Sequence, residues 1–244
     1  MRVAWIAHHN LDTPGGGAEM TDREMIDRRP SHVDVDVLHP RQFQRLGEYD
    51  RVVVSRLEEM PAGAAPAIAA TEPVFFSHGD VLPRSDPVRM VVRASRPFIA
   101  QTPLSLDHIE RWSGASEMVT MVPYMDLAGI RVGEKKDVAL WPHRNVAHKG
   151  LDLARKWSAD KGVFLKVMSG RPRSEVLAEM ASARWVVLLS KILDGCPRSI
   201  REAQLSGCEI VVNDLVGWWD IPRMELRART LQAPDIFWRR FMGA

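Results

Sequence analysis

Short apolar runs alternate along this chain with segments of helical periodicity. "RVAWIA", "DRVVVS", "PVFFS", "PFIAQ" and "EMVTMVP" are brief and bounded by Pro, Asp or Ser, the pattern of strands buried on both faces. "HVDVDVL" alternates strictly and reads as a strand with one polar face, so Asp34 and Asp36 share a side for structural reasons. Between the runs, "GGGAEMTDREMIDRR" is a Gly-rich turn feeding a helix, and "LSLDHIERWSG" is a helix with Gly114 at its C-terminal end. A charged break, "GIRVGEKKD", follows, and then the pattern restarts. "DVALWP", "VFLKVMS", "RWVVLLS" and "EIVVND" are strands. "GLDLARKWSADKG", "RSEVLAEMASA" and "RSIREAQLSG" are helices, the last closed by Gly207. Two successive βα series predict an α/β fold of two Rossmann-like parallel-sheet lobes, residues 1–128 and 129–232, each covered by helices. The end of the chain, "PDIFWRRFMGA", predicts a short helix over 233–244 that joins the first lobe. Its basic, aromatic character also fits a peripheral membrane contact, but a bare apolar end is a liability and docking onto a lobe is the simpler outcome.

Composition narrows the class. The chain has 244 residues, 45% hydrophobic and 26% charged, an ordinary globular balance. A net charge of +2 gives no electrostatic footprint for nucleic acid, so none is expected as a partner. The two cysteines, Cys196 and Cys208, build no disulfide framework and match no metal spacing; free thiols in a reducing cytoplasm are expected. No apolar run approaches the ~20 residues of a membrane helix, and "MRVAWIAHHN" is a strand rather than a signal peptide.

In parallel sheets, ligands sit outside the carboxyl ends of the strands, and two facing sheets would set their loops across one cleft. The chemistry-bearing residues lie just after strands. Gly15, Gly16 and Gly17 follow the first strand and open a helix, so they are either a plain turn or a place where backbone N–H groups approach an anion. The spacing is neither the dinucleotide fingerprint nor a P-loop. Arg144 and Lys149 share the loop "WPHRNVAHKGLD"; they are either scattered cations or a bidentate donor and a point charge for phosphate. "DGCPRSIREAQLSGCEIVVND" combines Asp194, Gly, Pro197 at a helix start, Glu202 a turn further on, a capping Gly and a Val-rich strand. Carboxylates suit sugars because they accept hydrogen bonds from adjacent hydroxyls. His78 and Gly79 end a strand; a packed histidine and one touching a sugar are both open. His8 and His9 carry no assigned role.

These segments, taken together and in order, resemble the retaining glycosyltransferases of the two-lobed family often called family 4, which have the GT-B fold. The Gly-rich turn matches at Gly15 to Gly17. "PYMD", from Pro123 to Asp126, is similar to the family's run at the lobe crossover. "HRNVAHKG" is similar to its phosphate segment. The Asp194 to Asp214 stretch resembles its E-G-x-P-x-x-x-x-E motif with the following strand. Asp194 stands where Glu is usual and His143 where Gly is usual. The resemblance implies that Glu202 holds the ribose of a nucleotide and Asp194 the donor sugar. Arg144 and Lys149 would neutralise the diphosphate, with backbone N–H groups near Gly16, Gly17, Ser199 and Ile200 and the helix start at Pro197 and Arg198 completing the cradle. His78 would lie near the transferred sugar, so that His78 and Asp194 are the expected catalytic pair. The substrate would be a nucleotide diphosphate sugar, the acceptor a glycan, lipid or small molecule, with no cofactor and no bound metal. A nucleotide-sugar epimerase and an inactive nucleotide-sugar-binding relative are the alternatives. A nicotinamide dehydrogenase is disfavoured by the glycine spacing.

Overall fold

A computed structural model describes the chain except residues 9–10, 13–15, 56–59, 62, 79–84, 114–116 and 145 and the side chains of 108 and 111–113. Gly15, Gly79, Gly114 and His9 therefore lie outside the described residues. The chain divides into two compact units: Met1–Met125 with Arg229–Ala244, and Asp126–Ala228.

The first unit is built on β1 (Arg2–Ile6), β2 (Asp34–Leu38), β3 (Arg51–Ser55), β4 (Val74–Phe76), β5 (Phe98–Ala100) and β6 (Met118–Thr120). The strands form one parallel sheet in the order β2-β1-β3-β4-β5-β6. Successive side chains leave a strand on opposite faces. Val3 and Trp5 therefore enter one core with Val53 and Phe76, and Ala4 and Ile6 enter another with Val52 and Phe75. Covered on both faces, β3 to β5 read as unbroken apolar runs.

Helix α1 (Gly17–Asp27) packs Met25 and Ile26 on the first face. Helices α2 (Ala64–Ala69), α3 (Asp86–Ala94) and α4 (Pro103–Ser113) cover the other, with Ile68, Val88, Val91 and Ile109 in its core. A 3-10 stretch, Pro40–Glu48, joins β2 to β3. The C-terminal Phe237 and Trp238 are buried in the first-face core, and Trp238 Nε1 donates to the Met25 carbonyl at 3.0 Å. Rings of that size stabilise by about 1.5–3 kcal/mol each when buried. Two rings of this end, Phe237 and Trp238, are thus interior, while Phe241 is half-buried and Arg239 and Arg240 are exposed. Among the described residues no helix is long and apolar enough to cross a membrane.

The second unit holds β7 (Lys136–Trp141), β8 (Phe164–Val167), β9 (Ala183–Leu188) and β10 (Glu209–Val212), all parallel, in the order β10-β9-β7-β8. Helix α5 (Leu151–Lys161) packs on one face through Ala154. Helices α6 (Arg173–Ser182) and α7 (Arg198–Leu205) pack on the other through Leu177, Met180, Ile200 and Ala203. Gly207 (φ +75°) ends α7: its N–H bonds to Gln204 and that of Cys208 to Ala203, the paired bonds of a Schellman motif. The Lys135 ammonium donates to the last carbonyls of two helices, Met180 at 2.9 Å and Ser206 at 2.7 Å. That places a cation against two negative dipole ends. Cys196 and Cys208 are free thiols. Helix α8 (Arg223–Asp235) carries the chain back to the first unit.

Candidate functional site

Strand order locates the crevice of the second unit. The chain runs from β7 out to β8, then returns to add β9 on the other side of β7. At such a switch point the loops after the two central strands diverge, and ligands of open α/β sheets bind there. The loop after β7 carries His143, Arg144 and Lys149; the loop after β9 carries Asp194 and leads into α7.

Local contacts fix both loops. Gly150 has φ +63°, and a Cβ there would lie 1.9 Å from the Leu189 carbonyl oxygen, so only glycine lets the first loop seat against the end of β9. The His148 carbonyl accepts from the Lys191 N–H at 2.8 Å and from Ser190 Oγ at 3.2 Å. Asn213 Nδ2, just beyond β10, donates to the Ser190 carbonyl at 2.8 Å. Asp194 is pinned by its backbone: its N–H donates to Leu215 at 2.7 Å and its carbonyl accepts from Gly217 at 2.8 Å. The Lys149 ammonium and the Asp194 carboxylate meet as an ion pair with about a fifth of each side chain exposed. Arg144 is exposed and has no ion pair among the described residues.

The start of α7 is tied to the same loop. Ser199 Oγ lies 3.0 Å from His143 Nδ1. His143 is buried edge-on against Trp141, and its Nε2 has no hydrogen bond among the described residues. Burial, and then the Lys149 charge, hold its pKa down to about 3 against a weak opposing pull from the Val187 carbonyl, so the ring is neutral at physiological pH. Pro197 stands at the N-cap, one residue before the helix rather than in its first turn. Its carbonyl accepts from the Ile200 N–H at 3.0 Å. The Ile200 amide is therefore already committed, its side chain belongs to the core, and Ser199 offers the helix-start N–H. Glu202 is buried, and its Oε1 accepts from Arg173 Nε at 2.8 Å and Arg198 Nε at 3.2 Å.

The remaining candidates belong to the first unit. Gly16 is the N-cap of α1 and Gly17 its first residue; the Gly16 carbonyl accepts from Met20 at 3.1 Å. His78 follows β4 with both ring nitrogens engaged: Nδ1 with Gln101 Nε2 at 2.7 Å, Nε2 with Asp22 Oδ1 at 2.5 Å. Asp22 Oδ2 accepts from Ser55 Oγ at 2.5 Å. With the Gln101 amide donating to Nδ1, the ring proton sits on Nε2 and is given to Asp22. Asp22, Ser55, Gln101 and Arg173, and the bond between His143 and Ser199, carry no motif in the sequence. Their partners are far apart in the chain, so no local spacing signals them.

No family model matches the chain, and no curated protein matches it in sequence. Among solved structures it is similar to Anabaena Alr3699/HepE in complex with UDP: TM-score 0.62, 12% identity, covering 99% of this chain and 96% of that one. It is also similar to an alpha-glucosyltransferase in complex with UDP-glucose and DNA containing an abasic site: TM-score 0.58, 12% identity, 97% and 90% covered. A third is WaaG, a glycosyltransferase involved in lipopolysaccharide biosynthesis: TM-score 0.54, 13% identity, 96% and 90% covered. Such likeness at low identity defines a fold. The protein is an α/β protein of GT-B fold, with two Rossmann-like parallel-sheet lobes.

Proposed function

We propose that the protein is a glycosyltransferase of the family 4 type, which moves a hexose from a nucleoside diphosphate donor to an acceptor with retention at the anomeric carbon. One observation carries the reading: the loops at the switch point of the second unit hold a cation paired to a carboxylate, Lys149 with Asp194, beside the helix that bears Glu202. The GT-B fold and neighbours that bind UDP or UDP-glucose support it.

The chemistry follows from charge. As the bond from the anomeric carbon to the phosphate oxygen breaks, its electron pair goes to the diphosphate and the sugar ring becomes cation-like. Lys149, Arg144 and the Ser199 N–H supply fixed positive charge where the negative charge grows. An ammonium has three donors, so Lys149 keeps Asp194 while it takes a phosphate oxygen. Asp194 then presents its other lone pairs to sugar hydroxyls, and Glu202 presents its second oxygen to the ribose. In this reading the two cations do the work a divalent ion does elsewhere, so turnover is metal-independent. The acceptor hydroxyl attacks from the face the phosphate leaves and passes its proton to the departing oxygen, which preserves configuration. In this reading His78, bonded at both nitrogens and buried at its side chain, holds the end of β4 in place and does not touch the reacting atoms.

The test is a thermal-shift panel of UDP, GDP, ADP and CMP, followed by turnover with the sugar of the winning base. A ligand at about 100 times its dissociation constant stabilises by about 2.7 kcal/mol, which moves melting by several degrees. A retained anomeric configuration and turnover that survives chelator are expected. No shift with any nucleotide sinks the proposal, and loss of turnover on chelation overturns the electrostatic account.

A further inference from the structure

Glu202 is held at one oxygen only. Arg173 Nε and Arg198 Nε both donate to Oε1, at 2.8 and 3.2 Å, while Oε2 has no partner among the described residues. Arg198 reaches Glu202 from one turn earlier on α7. Arg173 comes from the first residue of α6, and the rest of its guanidinium is anchored too. Its Nη2 donates to the Asp126 carbonyl at 2.8 Å, and its Nη1 lies 3.9 Å from the Asp126 carboxylate. A guanidinium is planar with its donors in a fixed fork, so bonds at Nε and Nη2 together set both its position and its plane. An i,i+4 partner alone leaves the carboxylate free to turn about its own torsion; a second donor from another helix removes that freedom.

We propose that Arg173 is a positioning residue that aims the open oxygen of Glu202 at the ribose hydroxyls of the donor, and so sets a preference for ribonucleotides over 2′-deoxyribonucleotides. This rests on the ribose role given to Glu202 above. A carboxylate only accepts hydrogen bonds, so with Oε1 filled by two guanidinium donors its one open oxygen is matched to hydroxyl donors. When a ligand lacks the 2′-hydroxyl, it would cover that oxygen without pairing it, which is what makes such a site selective. Arg173 itself is committed to Glu202 and Asp126 and does not reach for the phosphates.

The experiment is calorimetric binding of UDP, GDP, ADP and CDP and of their 2′-deoxy counterparts to the wild-type chain, Arg173→Ala, Arg173→Lys and Glu202→Ala. The wild-type chain is expected to prefer the tightest-binding ribonucleotide over its deoxy form by at least about tenfold. Arg173→Ala and Arg173→Lys should both bring the ratio close to that of Glu202→Ala, near one, with melting still cooperative. The lysine variant keeps the charge but cannot span Glu202 and Asp126, and it serves if the alanine variant does not fold. A ratio that survives in either variant overturns the inference, and so does a wild-type chain that binds without preferring ribose. A wild-type chain that binds none of the nucleotides overturns the proposed function itself.

Discussion

The polar clusters at the carboxyl ends of the two sheets have opposite characters. In the first unit every group of the Asp22 and His78 cluster is spent within the protein: both carboxylate oxygens and both ring nitrogens have partners, and the two side chains are only 4% exposed. In the second unit the accounts stay open. Lys149 and Asp194 keep about a fifth of their side chains in solvent, and among the described residues Arg144 has no ion pair and one Glu202 oxygen has no partner. A closed network fixes geometry because every rearrangement breaks a bond. An open one has donors and acceptors left for a ligand, while its backbone, pinned at Gly150 and Asp194, stays put. The first cluster is therefore closed on itself, and the second has the groups that the proposed function uses.

The largest expected effect comes from the open cluster. On the proposed function, Lys149→Ala removes a donor to the developing phosphate charge, and loss of one such group costs about 100- to 1,000-fold in turnover. Its stability should change little, because Asp194 is partly solvated and held by its backbone. Steady-state kinetics beside a melting curve read both, and turnover within tenfold of wild type would break the contrast. The closed cluster should behave the other way. Asp22→Ala strips the acceptor from two buried donors, Ser55 Oγ and His78 Nε2, at about 1–3 kcal/mol each. A urea midpoint should fall by the equivalent of about 3 kcal/mol while nucleotide affinity holds. An unchanged midpoint would show that solvent replaces those bonds and that the cluster is not closed.

The fold was legible where burial is simple. Strands β3 to β5 are covered on both faces, so their sequences are unbroken apolar runs that cannot be mistaken for surface. The 3-10 stretch at Pro40–Glu48 and helices α2 and α3 carry little sequence signal because all are short and hold Pro; α3 also leans on β-branched Val, and the near-uniform alanines of α2 give no apolar–polar periodicity. The sequence predicts the last helix over 233–244. It begins instead at Arg223 and runs through the proline, continuing as π-type turns over Ile236–Phe241. Burial of Leu226, Thr230 and Ala233 outweighs the one missing N–H bond. In the site, Lys149 and Asp194 lie 45 residues apart but follow adjacent strands, and strand order brings their loops together. Arg173 lies 29 residues from Glu202 and His143 lies 56 from Ser199; only the packing of α6, α7 and the β7 loop joins them.

The smallest effect sharpens the comparison by pH. His143 sits between the two kinds of cluster, buried like the first and attached to the second through Ser199. Unfolded, its imidazole titrates near 6.5; folded, burial and the Lys149 charge hold it to about 3. Between those values the unfolded chain binds a proton that the folded chain refuses. This contribution to stability is full above pH 6.5 and is lost progressively as pH falls toward 3. At pH 5 the loss relative to pH 7 is about 2 kcal/mol, at 1.36 kcal/mol per unit. His143→Gln, which cannot take the proton but still offers Ser199 an acceptor, should lack that slope in urea midpoints measured from pH 7 to pH 5. Lys149→Ala should begin to lose stability at the same pH as wild type, since the unfolded value is unchanged, but its fall should level off sooner because the folded value rises. Parallel slopes for wild type and His143→Gln would mean that the ring already shares its proton with solvent, and the site would be more open at its base than its burial implies.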